Sequence, residues 1–296
     1  MNPARLKPFD FLLYSLVLFA WGTSWIGVHM QVGTFVVPEI SVFWRFLIAG
    51  ICMIGLALAT GQNLRLPLAA HRLFVAMGFC LFCANFTFFY YGAQVLPSGL
   101  LSVVFSTASI FNLGLGFVLF RQKVDKRTLA GALLGAIGIA LLFAPQILGS
   151  RFDHAALGGL GLCILGTLCF CFGNLVSAAS QHNGVPVIAA TAWSMLYGAG
   201  LIGLFGLGRG QSFALDMSAS YLGSLIFLAL SASVLAFWAY LTLLGRIGPG
   251  RAGYATVMFP IVALAISTVF EGYVWTLPAV IGTVLALAGN VLVLRR

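Results

Sequence analysis

Ten apolar runs of roughly 20 residues, separated by short polar breaks, occupy most of the 296-residue chain. A helix of about 20 residues crosses the ~30 Å hydrocarbon core of a bilayer. Because the backbone polar groups of a span have no water to bond, they must be paired within the span, which favours helices. We therefore predict an all-α integral membrane protein with ten transmembrane helices, at residues 10–30, 38–60, 73–95, 98–120, 128–147, 157–180, 186–207, 220–244, 250–271 and 275–294.

The composition supports a membrane environment and argues against other partners. Hydrophobic residues make up 61% of the chain and charged residues 7%, against roughly 25% charged residues in a soluble domain. The net charge of +9 does not indicate nucleic-acid binding, because the basic residues lie in the breaks beside the spans. The predicted partners are the lipid bilayer and a small-molecule substrate, with no nucleic acid and no obligate protein partner.

Two stretches, residues 99–142 and 250–293, share a layout of an apolar span, a short break and a second span rich in small residues. A shift of 151 residues places six glycines on glycines, where about two coincidences are expected by chance from the glycine content. The pairs are Gly22/Gly173, Gly33/Gly184, Gly55/Gly206, Gly99/Gly250, Gly131/Gly282 and Gly138/Gly289. We predict a duplicated unit with repeats at residues 1–147 and 148–296.

The basic residues predict the orientation of the chain in the membrane. If the N-terminus is cytoplasmic, twelve of the 15 Lys and Arg residues, including every Lys, lie on the cytoplasmic side, two lie outside and Arg45 lies within a span. The positive-inside rule therefore predicts that both termini are cytoplasmic. Since each repeat has five spans, the second repeat is inverted relative to the first, an arrangement typical of secondary transporters with a binding site near the midplane.

The motifs WGTSWIG (residues 21–27) and WRFLIAG (residues 44–50) resemble the first-span and second-span signatures of the EamA-type drug/metabolite transporter superfamily. The second of the two repeated stretches also keeps the family's Pro260 and Glu271, whereas the first has Ser109 at the proline position. The resemblance implies ten spans in two repeats. The aromatic-rich spans are most similar to those of bacterial aromatic amino-acid exporters, which implies efflux across a bacterial inner membrane.

Polar residues inside spans are costly in lipid and usually face a wet cavity or the bundle interior. Such residues recur at helical spacing in spans 1, 3, 4, 6, 8 and 9, which are equivalent spans of the two repeats. The predicted substrate-binding residues are Trp21, Ser24, Asn85, Phe89, Ser106, Phe170, Asn174, Trp238, Tyr254 and Met258. The aromatic side chains would form the apolar walls of one central cavity, and the amides and hydroxyls would hydrogen-bond the substrate. The alternative is that small and polar residues only hold helices together.

Three other features allow specific expectations. Arg45 is expected to snorkel or to pair with Glu39 or Glu271, with a contact to a substrate carboxylate as the alternative. Small residues at four-residue spacing in spans 5 and 10 predict close packing of these two helices, away from the substrate path. No Asp or Glu lies at a span centre, so we expect substrate movement to persist without a pH difference across the membrane.

The predicted function is a secondary transporter or facilitator that exports small amphiphilic metabolites, above all aromatic and other apolar amino acids, by alternating access. An exporter of other drugs or metabolites is the alternative. A multispan enzyme would need intramembrane acid–base or metal-ligating groups, and a channel would need a polar ring on a symmetric pore. The sequence has neither pattern, and it has no phosphate-binding loop or metal-ligand spacing. We therefore predict no enzymatic activity, no cofactor and no metal.

Overall fold

The structure, a computed structural model, describes residues 7–120, 126–147, 153–252 and 254–294, and these residues form helices and no strands. The helices are α1 (Pro8–His29), α2 (Pro38–Ala59), α3 (Leu68–Met77), α4 (Asn85–Ala93), α5 (Ser98–Ser106), α6 (Ala108–Phe120), α7 (Lys126–Ile147), α8 (His154–His182), α9 (Val187–Gly208), α10 (Ala219–Phe227), α11 (Ala236–Ala252), α12 (Tyr254–Phe270) and α13 (Leu277–Leu294). Two π-helical segments, π1 (Gly78–Ala84) and π2 (Leu228–Leu235), join α3 to α4 and α10 to α11. The predicted all-α fold class is confirmed.

Six continuous helices in the described residues are long and apolar enough to cross a membrane. They cover Pro8–His29, Pro38–Ala59, Leu68–Ala93, His154–His182, Val187–Gly208 and Ala219–Ile247. Four shorter apolar helices, Ser98–Asn112, Leu129–Pro145, Val257–Phe270 and Leu277–Leu292, occupy the other predicted spans. The chain is thus a multi-pass membrane protein, and the count of ten spans remains a prediction.

The two π-helical segments occupy equivalent positions in the two halves of the chain. A shift of 151 residues moves π1 onto residues 229–235, within π2. A π-helical turn has i→i+5 hydrogen bonds and accommodates an extra residue, so the side chains that follow it point in new directions. Within π2 the Ser233 hydroxyl donates to the Leu228 carbonyl oxygen at 2.9 Å. The helices that follow these turns, α4 and α11, both contribute side chains to the candidate site described below.

Helix–helix contacts between the two halves occur in equivalent pairs. Helix α2 packs on its equivalent α9, and α7 packs on its equivalent α13. The contact of α1 with α12 has its counterpart in the contacts of α8 with α5 and α6. Every one of these pairs joins one helix of the first half to one helix of the second. The helices of the two halves are therefore interleaved, each half packing on equivalent helices of the other.

At two places the fold requires glycine, because a larger residue would be strained or would clash with a neighbouring helix. Gly33 (φ 82°) and Gly184 (φ 78°) follow α1 and α8 in the left-handed backbone region, which glycine adopts without steric cost. Between α7 and α13, a Cβ added to Gly282 would lie 2.6 Å from the carbonyl oxygen of Gly138. Close packing of these two helices, predicted from small residues at four-residue spacing, is confirmed.

Candidate substrate cavity

A central cavity lies among helices of both halves, near the end of the bundle where the loop joins α1 to α2. It has about 450 Å³ of empty space, including its opening. Aromatic side chains dominate its wall and polar side chains are few. The lining residues are Trp21, Ser24, Trp25, Val28, Arg45, Asn85, Phe86, Phe89, Tyr90, Phe105, Phe237 and Phe259.

Trp21 of α1 is the centre of an aromatic cluster at the base of the cavity. Its ring centroid lies 4.9 Å from that of Tyr240 and 5.2 Å from that of Phe237. Three more rings surround it at about 6 Å, those of Phe105, Phe170 and Phe259. The indole N–H donates to the Ala232 carbonyl oxygen of π2 at 3.1 Å. Trp21 therefore ties α1 of the first half to π2 and α11 of the second.

Arg45 of α2 is 1% exposed and forms part of the cavity wall. Its Nε donates to the Ser233 hydroxyl of π2 at 2.9 Å, and its guanidinium lies 4.3 Å from the centroid of the Phe86 ring. The buried Nη1 has no hydrogen-bond partner. Within the described residues no acidic side chain lies within ion-pair distance of Arg45. The expected ion pair with Glu39 or Glu271 is therefore wrong.

The two carboxylates expected near Arg45 have other partners. Glu39 pairs with Arg209 at 2.9 Å and accepts a hydrogen bond of 2.7 Å from the Tyr91 hydroxyl. Glu271 accepts hydrogen bonds from the backbone N–H of Ser98 and from a neighbouring hydroxyl. Each carboxylate connects the ends of helices from different halves. Their partners lie closer to the helix ends than Arg45, so the guanidinium remains unpaired in the cavity wall.

Two further polar groups of the cavity lack partners. The amide of Asn85 donates to the Leu81 carbonyl oxygen at 3.3 Å, but its buried Oδ1 accepts no hydrogen bond. The buried indole N–H of Trp25 also has no partner. Unpartnered buried polar atoms are unusual in proteins and call for an explanation. Here they lie in the wall of one cavity, which makes the cavity wall chemically suited to bind a polar group.

A second cavity lies under the loop between α1 and α2. It has about 350 Å³ of empty space, including its opening, and Gln31 and Gln94 belong to its lining. Tyr90 lines both cavities, and its hydroxyl donates to Gln31 Oε1 at 2.7 Å. Tyr90 therefore lies between the central cavity and the loop.

Four of the predicted substrate-binding residues line the central cavity, namely Trp21, Ser24, Asn85 and Phe89. Phe170 lies below it against Trp21. Asn174 donates to the Tyr240 hydroxyl at 3.2 Å, on the far side of the same aromatic cluster. Ser106 accepts a hydrogen bond of 3.0 Å from Asn290, so it connects α5 to α13 as helix–helix packing does. The binding role of the ten residues stays a prediction.

Three of the predicted residues lie on α11 and α12. Trp238 packs, partly buried, against the core and does not line the central cavity, where Phe237 takes its place. The prediction assumed regular helical spacing through span 8, and π2 interrupts that spacing. Met258 is 51% exposed and does not line the cavity, whereas its neighbour Phe259 is buried and does. The side chain of Tyr254 lies outside the part of the chain that the structure describes.

The cavity also includes aromatic residues that were not among the predicted ten. Trp25 stands one helical turn from Trp21, and Phe105 stands one turn from both Ser102 and Ser109. The prediction was built on polar residues and did not include these aromatic neighbours, nor Phe86 and Tyr90. Phe259 belongs to an almost wholly apolar helix, in which hydrophobic periodicity cannot distinguish the interior from lipid. A search for clustered aromatic residues in equivalent spans would have found several of them.

Comparisons with known proteins agree with this architecture. A crystal structure with 16% sequence identity superposes with a TM-score of 0.71, covering 97% of this chain and 96% of that chain, which shows the same fold. The chain is 25% identical over 288 residues to a probable amino-acid metabolite efflux pump of Salmonella typhimurium (strain LT2), covering 95% of this chain and 93% of that protein. It is 26% identical to an uncharacterised inner membrane transporter of Escherichia coli (strain K12), covering 92% and 86%.

The family assignment accounts for both halves of the molecule. The model of the EamA-like transporter family matches twice, at residues 9–144 and 147–295. These matches correspond to the two interleaved sets of helices, and their ends leave almost no residue of the chain unassigned. The chain therefore belongs to the EamA-like transporter family, and it is a transporter and not an enzyme.

Proposed function

We propose that this protein is a secondary transporter that exports aromatic and other apolar amino acids across a bacterial inner membrane by alternating access. The observation that carries the proposal is the central cavity, which has aromatic walls and a few unpartnered polar atoms. The relative from Salmonella typhimurium, a probable amino-acid metabolite efflux pump, supports the same substrate class. Export of other metabolites by the same route is the alternative.

The chemistry of the cavity wall favours amphiphiles with a ring or a thioether. Flat aromatic walls contact a substrate ring by edge-to-face packing, and thioethers also pack well against aromatic rings. A phosphorylated sugar would require several basic groups or a bidentate clamp, but among the described lining residues Arg45 is the single basic one. The cavity is therefore better matched to phenylalanine or methionine than to a hexose phosphate.

Replacing Phe89 by alanine should reduce phenylalanine transport about ten-fold or more, because a large ring contact with the substrate is lost. Phe89 is 3% exposed in the cavity wall, whereas Phe19 is 68% exposed on the outer face of α1 and provides the matched control. The measurement is counter-flow of labelled phenylalanine, methionine and a hexose phosphate in proteoliposomes, at equal protein content.

The outcomes test the role of Phe89 and the identity of the substrate separately. Phe19→Ala should leave transport within two-fold of the unmodified protein. Equal transport by Phe89→Ala and Phe19→Ala would exclude Phe89 from the substrate path. Robust exchange of the hexose phosphate, with none of phenylalanine or methionine, would contradict the proposed substrate class. Absence of counter-flow together with ion current would contradict a carrier mechanism.

Both termini should be cytoplasmic, because the basic residues are concentrated on one side. A fluorescent reporter that folds only in the cytoplasm should therefore fluoresce when it is fused to either end of the chain. A dark C-terminal fusion in well-expressed protein would contradict an even number of spans. The proposed orientation places the loop between α1 and α2, and with it the mouth of the central cavity, on the outer side.

Transport should not require a side-chain carboxylate to carry a proton through the membrane. Asp10, Glu39 and Glu271 lie at helix ends, and each is held by hydrogen bonds or ion pairs. Asp10 in particular accepts a 2.6 Å hydrogen bond from Arg246 at the end opposite the cavity. We therefore propose that substrate moves down its own gradient when no pH difference is imposed.

A further inference from the structure

Arg45 is a buried cation for which the described part of the protein supplies no counter-ion. Its side chain is 1% exposed, and the three acidic residues that form ion pairs are occupied elsewhere. Burying a charge without a partner is among the most costly arrangements in a protein. The Phe86 ring face and the hydroxyls of Ser233 and Tyr90 offset only part of that cost. Such a group is expected where a ligand supplies the missing charge.

The guanidinium is oriented by contacts that leave one of its donors unused. The Nε–H···Oγ bond to Ser233, at 2.9 Å, fixes one edge of the group, and the Phe86 ring lies 4.3 Å from its central carbon. The Tyr90 side chain lies beside the guanidinium as well. Nη1 is buried without a partner in the residues that the structure describes. A fixed guanidinium with a free N–H matches the geometry of a carboxylate.

Another unpartnered group of the cavity wall is a hydrogen-bond acceptor, in contrast to the donor groups of Arg45. Asn85 Oδ1 is a buried acceptor to which no group donates a hydrogen bond. Asn85 precedes Phe86, the residue whose ring contacts the Arg45 guanidinium. No acidic side chain is found among the described residues of the cavity wall. A neutral oxygen can accept from an ammonium group, but it does not provide a counter-charge. The site therefore has a full positive charge for one end of a ligand and only a dipole for the other.

We propose that Arg45 binds the carboxylate of the transported molecule, with Asn85 Oδ1 accepting from its amino group, so that a carboxylate is required for transport and an ammonium group is not. This inference rests on the proposed function and deepens it, because it identifies the charged group that an aromatic substrate must carry. The substrate class is then a ring or thioether joined to a carboxylate, and aromatic amines without a carboxylate are excluded.

The test compares three ligands of the same ring in the unmodified protein. Phenylalanine, 3-phenylpropionate (no amino group) and phenethylamine (no carboxylate) compete against labelled phenylalanine in proteoliposomes. Loss of a hydrogen-bonded charge contact corresponds to about a 10- to 100-fold weaker interaction. Phenethylamine should therefore compete at least ten-fold more weakly than phenylalanine, and 3-phenylpropionate should stay within ten-fold of it. This comparison requires no variant and so does not depend on the folding of one.

Substitutions of Arg45 provide a second test of the same proposal. Arg45→Gln should reduce phenylalanine exchange about 10- to 100-fold and should abolish the preference for phenylalanine over phenethylamine. Arg45→Lys keeps the positive charge, so it should retain part of that preference. Arg209→Gln is the matched control, because Arg209 pairs with Glu39 away from the cavity, and it should keep the preference. The ratio of two ligands within one variant is independent of expression level.

The outcomes separate this inference from the proposed function. Equal competition by phenethylamine and phenylalanine in the unmodified protein would overturn the role of Arg45 and leave aromatic amino-acid transport standing. An Arg45→Gln variant with unchanged exchange and preference would do the same. Failure of the unmodified protein to exchange phenylalanine or methionine at all would contradict the proposed function, and this inference with it.

Discussion

Replacing Trp21 by alanine should destabilise the protein more than any other single truncation in the aromatic cluster. Trp21 contacts five rings and donates a hydrogen bond to the Ala232 carbonyl oxygen of π2. Removal of a buried tryptophan side chain costs about 3–5 kcal/mol in protein cores, largely through the void that it leaves. We expect a lower melting temperature in detergent and loss of phenylalanine counter-flow.

Two further variants distinguish packing from hydrogen bonding at this position. Trp21→Phe retains an aromatic ring but removes the N–H donor to π2, so it should lose less stability than the alanine variant. Trp275, which is 40% exposed after α12, is the matched tryptophan for a Trp→Ala control. A Trp21→Ala protein with the melting temperature and transport of Trp275→Ala would contradict the central position of Trp21.

Replacing Gly282 by leucine should prevent α7 and α13 from packing as they do. A Cβ at this position would lie 2.6 Å from the Gly138 carbonyl oxygen and 2.6 Å from the Leu142 backbone nitrogen. Both atoms belong to the backbone of α7, so no side-chain rotation relieves the clash. Overpacking typically costs 1–3 kcal/mol and occasionally more, and we expect about 3 kcal/mol or more here.

The measurement is thermal unfolding in detergent, together with the yield of monodisperse protein. Gly200→Leu is the matched control, because Gly200 lies within helix α9 and a Cβ there would meet no atom within 4 Å. The control should differ little from the unmodified protein, since leucine has the better helix propensity. Equal melting temperatures for the two leucine variants would show that α7 and α13 can separate without loss of stability.

Much of the cavity could not be predicted residue by residue, and the reasons differ along the chain. Trp21 and Asn85 were found because a bulky indole and an amide are conspicuous in apolar spans, and both line the cavity. Trp238 does not line the cavity, because π2 changes the helical register between it and the residues that precede it. Met258 does not line the cavity either, and α12 has too little polar contrast between its faces for the sequence to show this.

The sequence by itself determined the fold class and the two-repeat architecture. Span length and low charge indicate residence in lipid, and glycines at 151-residue spacing indicate a duplicated unit. Tertiary structure alone decided which charges pair. Glu39 pairs with Arg209, 170 residues away, and this choice leaves Arg45 unpaired. Pairing depends on distances between helices of different halves, which no local pattern in the sequence encodes.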